Sequence, residues 1–201
     1  AFNSIEYDAI ITILKAKGFG ARWIIWMKLL FNSASSAILH KGVPGKKFYC
    51  KKGVRQGDPL SSLLFIIAAY LLQTILNRAM NQGLLSPPIQ SNSCPDFPIV
   101  QYADDTLVLL RADARELVFL KAILNTLADA TSLKVNYNKS SLIPININEQ
   151  KTQLLINTLN CRREVFSFTY LGLPLGLYKP AVEECMPLVR RMANKVMGLA
   201  T

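Results

Sequence analysis

The stretch from Asp58 to Gly83 constrains the fold more than any other part of the chain. Asp58-Pro59 reads as a helix start, with aspartate as N-cap and proline at the first helical position, and Gly83 reads as the stop. Inside it lies the longest apolar run of the chain, Leu63–Leu72, ten residues long. A membrane-crossing helix needs about 20 apolar residues in succession, so this run reads instead as a buried core helix.

The flanking segments supply its surroundings. Residues 5–17 place Ile5, Ala9, Ile13 and Leu14 at helical spacing and end at Gly18 and Gly20; residues 21–31 read as a second, strongly apolar helix. Ser36–His40 and Lys47–Lys52 flank Gly42-Val43-Pro44-Gly45, which predicts a hairpin with a short glycine-rich loop. Residues 84–97 read as a loop. Ile99–Tyr102 and Thr106–Leu110 are apolar runs on either side of Asp104-Asp105, a second hairpin. Leu117, Leu120, Leu124 and Leu127 line one face of a helix over residues 113–130. A strand is expected at Leu133–Tyr137, a helix at 148–159, two short strands within Phe166–Leu175, and a helix from about Pro187. The order implies an α+β domain, an antiparallel sheet with helices on one face.

Composition adds two constraints. With 51% hydrophobic and 18% charged residues among 201, the chain is suited to a packed core and not to disorder. A net charge of +10 makes a polyanion the first partner to consider, nucleic acid ahead of an anionic membrane. Cys50, Cys94, Cys161 and Cys185 are widely spaced and read as reduced, buried or half-buried thiols; with His40 the single histidine, the chain lacks the pattern of a zinc site.

Two strings carry chemistry. In Gln101-Tyr102-Ala103-Asp104-Asp105, adjacent carboxylates at a hairpin tip repel one another, and a bound divalent cation removes that conflict. The same dipeptide also suits a plain polar turn. Gly53-Val54-Arg55-Gln56-Gly57-Asp58-Pro59-Leu60-Ser61 sets a cation, an amide and two glycines before the long helix. Glycines there let backbone approach a ligand closely, though a capped loop has similar composition. Together the strings are far more specific than either. Residues 41–55 add Lys41, Lys46, Lys47, Lys51, Lys52 and Arg55 without an acid among them, which suits a nucleic-acid backbone or a solvated hairpin.

On these strings the chain resembles the reverse transcriptase domain of non-LTR, LINE-type retrotransposons, especially those of plants. Ala1-Phe2-Asn3-Ser4 is similar to the end of the family's first palm motif, Gly53–Ser61 with Leu63-Leu64-Phe65 to the second, and Tyr102–Asp105 to the third. Leu133-Lys134-Val135-Asn136 through Lys139-Ser140 is similar to the fourth, and Thr169-Tyr170-Leu171-Gly172 with Pro174-Leu175-Gly176 to the fifth. The resemblance implies a right-hand polymerase palm with partial fingers over residues 1–176 and the start of the thumb over 177–201. It implies RNA-directed DNA synthesis from RNA template, DNA primer and dNTPs with two Mg²⁺ ions, Mn²⁺ being the alternative metal. Asp104 and Asp105 would serve the ions. Phe2 would exclude the ribonucleotide 2′-OH, unless it is a core phenylalanine. Arg55, Gln56 and Gly57 would face the incoming nucleotide, and Lys139 the leaving pyrophosphate. Tyr170, Leu171 and Gly172 would form the primer grip; independently of the resemblance, the charge of Lys46, Lys47, Lys51 and Lys52 suits them to nucleic-acid backbone. Arg55 and Lys139 also read as surface cations, and Tyr170–Gly172 as ordinary hairpin packing. The family implies action in the nucleus; no targeting signal is present.

The chain departs from the family at Asn3, where LINE-type sequences carry an acid, and at Ser62, where they carry proline. The family's first catalytic aspartate falls upstream of Ala1, so the sequence is expected to be a fragment, inactive by itself. The competing readings are a decayed retroelement relic retaining nucleic-acid binding, a group II intron maturase, which the Arg55–Ser61 and Tyr170–Gly176 strings argue against, and a basic membrane-surface protein, which leaves the paired aspartates unexplained. Oligomeric state is not legible.

Overall fold

A computed structural model describes residues 3–89, 96–176 and 178–198. The chain divides into two compact units, residues 1–135 and 136–201. In the first, α1 (Tyr7–Ala16) buries Ile10, Ile13 and Leu14, and α2 (Ala21–Ser33) buries Ile24, Met27 and Phe31. Both sets recur at helical spacing, so each helix turns one apolar stripe inward. Tyr7 stacks flat on Phe31, ring centroids 4.4 Å apart, and fixes the pair of helices against one another.

After α2 the chain forms β1 (Ser35–Ser36), β2 (Leu39–His40), β3 (Val43–Pro44) and β4 (Phe48–Tyr49). β1 pairs with β4 and β2 with β3, both antiparallel. The turn is Lys41-Gly42, at φ +49° and +82°, and not the expected Gly42–Gly45 loop. Two-residue hairpin turns need left-handed backbone, which Gly42 supplies, and Pro44 is left at a position that donates no ladder bond.

Helix α3 (Pro59–Asn81) starts and stops where the sequence indicates. The Asp58 carboxylate accepts the Leu60 N–H at 2.8 Å, and Gly83 follows at φ +71°. By length and apolarity α3 could also cross a membrane, but one face of it, with Leu64, Phe65, Ala68, Leu72 and Leu76, is buried. Ile5, Val54, Leu64 and Ala68 share one core with the buried faces of α1 and α2. Beyond it come β5 (Ile99–Tyr102), β6 (Asp105–Val108) and α4 (Ala114–Thr131), which is capped by the Asp113 carboxylate on the Arg115 and Glu116 N–H groups.

The second unit holds a 3₁₀ turn (Tyr137–Lys139), β7 (Ser141–Leu142), α5 (Glu149–Leu159), β8 (Arg162–Arg163), β9 (Phe168–Tyr170), β10 (Leu173–Leu175) and α6 (Val182–Gly198). The strand expected at Leu133–Tyr137 is absent. The Asn136 side chain takes the Lys139 N–H and caps a 3₁₀ turn that begins at Tyr137, the last residue of that segment, while residues 133–136 stay irregular. α6 begins five residues before Pro187, because Glu184 reaches back to the Ala181 N–H at 2.9 Å and closes half of a capping box.

Mixed helix and strand is the α+β class expected. The strands, two to four residues long, make five two-stranded ribbons, of which β7–β8 is parallel. Strands this short offer few ladder bonds, and no continuous sheet forms among the described residues. Cys50, Cys161 and Cys185 are half-buried thiols; Cys94 lies outside the described residues.

Among the described glycines, Gly53 lies closest to neighbouring backbone. Its φ is +82°, and a Cβ there would sit 2.8 Å from the Asn3 backbone. Gly53→Ala is therefore expected to destabilise the first unit by about 2 kcal/mol or more, the left-handed cost plus the overlap. Both tryptophans, Trp23 and Trp26, belong to that unit, so their fluorescence in urea should show a lower midpoint with an unchanged slope.

Candidate functional site

Gly53 also begins the site. Its N–H donates to the Ile5 carbonyl at 2.8 Å, beside a bridge between Glu6 and Lys52, so the Asn3-to-Glu6 segment and the Gly53–Ser61 string lie together. Val54 is buried next in line, and Arg55–Asp58 then make a turn closed from the Asp58 N–H to the Arg55 carbonyl. Gly57 holds the left-handed position of this turn at φ +89°, and a Cβ there would meet nothing within 4 Å. Its glycine answers to backbone conformation, and the space over it is open. Arg55, Gln56 and Gly57 are all exposed immediately before the N-terminus of α3.

Asp104 and Asp105 stand at the end of the β5–β6 hairpin. The register pairs Tyr102 with Asp105, so the turn is Ala103-Asp104, and Asp105 is the first residue of β6 and not part of the turn. Ala103 is left-handed at φ +48°, which costs a residue with a Cβ about 1 kcal/mol. Both carboxylates are exposed. Mg²⁺ is commonly held by one or two carboxylates together with water and substrate phosphates, and the Asp104–Asp105 pair fits that donor set. Among the described residues no group of three or more His, Cys, Asp and Glu side chains converges.

The hairpin is held at its other end by side chains that the sequence reading passed over. Asn77 Oδ1 accepts the Phe97 N–H at 2.8 Å, and its Nδ2 donates to Asp96 at 2.7 Å. Gln73 donates to both Asn77 Oδ1 and the Phe97 carbonyl. Phe97 is 1% exposed, and the Leu109 N–H to Pro98 carbonyl bond continues the ladder from there toward the tip. The available signal was two amides four apart, Gln73 and Asn77, between Leu72, Leu76 and Ala79 on an apolar helix. Glu6 is a second overlooked tie: its N–H donates to the Thr131 carbonyl, and its carboxylate accepts the Ser132 hydroxyl beyond α4.

Lys46, Lys47, Lys51 and Lys52 are exposed around the β1–β4 ribbon. Phe2 lies outside the described residues. The second unit contains Lys139, exposed on its 3₁₀ turn, and the β9–β10 hairpin. Leu171-Gly172 form the turn of that hairpin, at φ +52° and +82°, and Arg191 of α6 donates to the Gly172 carbonyl at 3.3 Å. The Tyr170 hydroxyl is buried and has no hydrogen-bond partner among the described residues. Burial raises the phenols of Tyr7 and Tyr137 above the usual tyrosine range, with Cys50 a smaller cause at Tyr7.

Residues 1–175 match the family described as reverse transcriptase (RNA-dependent DNA polymerase). Among curated proteins, the chain is 27% identical over 143 residues to an uncharacterized 149 kDa protein of transposon TX1 from Xenopus laevis, covering 70% of this chain and 10% of that protein. It is 30% identical over 109 residues to a retrovirus-related Pol polyprotein from type-1 retrotransposable element R2 of Popillia japonica, covering 54% and 17%. An uncharacterized mitochondrial protein of Arabidopsis thaliana is 40% identical over 65 residues, covering 32% and 53%. The chain thus spans only part of each of these relatives.

Asn77→Ala removes bonds to Phe97, Asp96 and Gln73 at once, and should cost about 1–3 kcal/mol. Hydrogen exchange is the check. The Phe97 amide and the β5 and β6 amides should lose more protection than those of α1 and α2, and equal loss throughout would contradict the clamp.

Proposed function

The chain belongs to the reverse transcriptase (RNA-dependent DNA polymerase) family, and on that premise we propose that it is the palm portion of a non-LTR retrotransposon polymerase that copies RNA into DNA. In this reading residues 1–176 are palm with partial fingers and 177–201 the start of the thumb. The observation that carries it is the pair Asp104 and Asp105, adjacent and exposed at the tip of a hairpin clamped at its base to α3.

In the proposed reaction the primer 3′-oxygen forms a bond to the α-phosphorus of a dNTP, and the bond to pyrophosphate breaks. Asp104 and Asp105 would hold divalent metal, which when bound would supply Lewis acidity toward the reacting oxygens. The exposed Arg55-Gln56-Gly57 turn faces the nucleotide, with the open space over Gly57 letting phosphate or base come close to backbone. Phe2 excludes a 2′-OH by bulk. Lys139 donates a proton to the leaving pyrophosphate or holds its charge. Tyr170, Leu171 and Gly172 position the primer end, and Lys46, Lys47, Lys51 and Lys52 neutralise template or primer phosphates. RNA template, DNA primer and dNTPs are the partners, Mg²⁺ or Mn²⁺ the metal, and the nucleus the place of action.

A second reading is favoured by Asn3, which stands where LINE-type sequences carry an acid: a decayed copy that keeps nucleic-acid binding alone. Primer extension separates the two. The chain should be joined to the upstream residues of its reading frame, which in the family carry a further aspartate, and given RNA template, DNA primer, dNTPs and Mg²⁺. Template-dependent extension is expected. A folded protein that binds RNA and adds no nucleotide would establish the relic. With Phe2→Ala, ribonucleotide incorporation should rise about tenfold or more relative to dNTPs.

A further inference from the structure

Tyr49 is a large aromatic side chain left 73% exposed in the most basic part of the chain. Residues 41–55 contain six cations and no acid. β4 pairs with β1, and the Cys50 N–H to Ala34 carbonyl bond of 2.9 Å continues the pairing one residue further. Side chains alternate within the strand, so Tyr49 falls on the side opposite Phe48, and Lys47 and Lys51, two residues to either side of it along the chain, are both exposed. Cys50, next in the chain, is half-buried, lies 3.6 Å from the Ser36 hydroxyl, and neighbours Tyr7, itself stacked on Phe31, while Phe48 is half exposed. Tyr49 itself faces solvent. Its register partner is Ser35, too short to cover the ring.

We infer that this outward side binds unpaired nucleic acid, one base stacking on Tyr49 while Lys47 and Lys51 meet the phosphates to either side. The inference rests on the nucleic-acid part of the proposed function and narrows it to the single strand. A base inside a duplex has no open face to offer a ring, whereas an unpaired base does, and stacking of this kind tolerates any sequence. The absence of acids across residues 41–55 makes the ribbon complementary to a phosphate chain. Ile38, Leu39 and Val43 are also exposed nearby, so an anionic lipid surface is the competing occupant to be tested.

The test is fluorescence anisotropy of this 201-residue chain with a single-stranded RNA of about 16 nucleotides. The matching duplex and vesicles of phosphatidylserine with phosphatidylcholine run beside it. Tyr49→Ala should weaken single-strand binding about 5- to 100-fold and leave the salt dependence unchanged. Tyr49→Phe should bind as the parent does, and the duplex should respond little to either. Lys47→Ala with Lys51→Ala should reduce the slope of log affinity against log salt by about 1.4. Circular dichroism on each variant confirms that the fold is retained. Parent-like RNA binding by Tyr49→Ala overturns the inference. So does an equal loss in Tyr49→Phe, or Tyr49-dependent capture of vesicles without Tyr49-dependent capture of RNA. Because no catalysis is read, its failure is distinct from that of the polymerase reading, which stands if primer extension is observed.

Discussion

The Asn77 side chain joins the long apolar helix to the hairpin that carries the aspartates, and the geometry of the first unit follows from that tie. Its oxygen takes the Phe97 N–H and its nitrogen holds Asp96, while Gln73 adds a second bond to the same segment, just ahead of β5. A two-stranded ribbon is marginally stable in water by itself, so a hairpin with a charged tip needs an anchor at its base. Here the anchor is one buried aromatic, Phe97, and two amides whose hydrogen-bonding groups answer one another. Two adjacent carboxylates can then project from the far end of the ribbon, where solvent screens their repulsion.

The same helix organises the other string. Its N-terminus follows directly on Arg55-Gln56-Gly57-Asp58, and the string is fixed upstream by Gly53, whose lack of a side chain lets it lie against Asn3 and Ile5. Lys139 and the Tyr170–Gly172 hairpin belong to the second unit, which has ties of its own. Asn136 caps the turn bearing Lys139, and Arg191 holds the Gly172 carbonyl. In each case a side chain of modest chemistry, an amide or a guanidinium, satisfies backbone that would otherwise be loose, beside a residue proposed to act on substrate.

Much of this was legible from residues. Asp58-Pro59 and Gly83 bound α3 because a carboxylate cap, a ring that needs no N–H, and a left-handed stop are local chemistry. The two apolar runs around Asp104-Asp105 and the leucine spacing of α4 are likewise local, and the polymerase-like strings carried the family. What was not legible depended on partners far along the chain or on competition between side chain and backbone. Asp105 enters the strand because pairing with Tyr102 leaves a two-residue turn. Leu133–Tyr137 has strand composition, yet Asn136 captures the Lys139 N–H. Pro187 suggested a helix start, but the Glu184 carboxylate had already closed the cap at Ala181. Gln73 and Asn77 are two polar residues within an apolar helix, and only the Asp96–Phe97 segment, about twenty residues on, shows their purpose.

We propose Asp104 and Asp105 as metal-holding carboxylates in nucleotidyl transfer. The most direct measurement is single-nucleotide incorporation as a function of Mg²⁺ concentration, in the protein extended upstream, for the parent and for Asp104→Asn and Asp105→Asn separately. Each substitution keeps the size of the side chain and removes its charge. Either change should slow incorporation by about a hundredfold or more at saturating Mg²⁺, or move the Mg²⁺ dependence to much higher concentration. Incorporation that keeps both its rate and its Mg²⁺ dependence in both variants would contradict it.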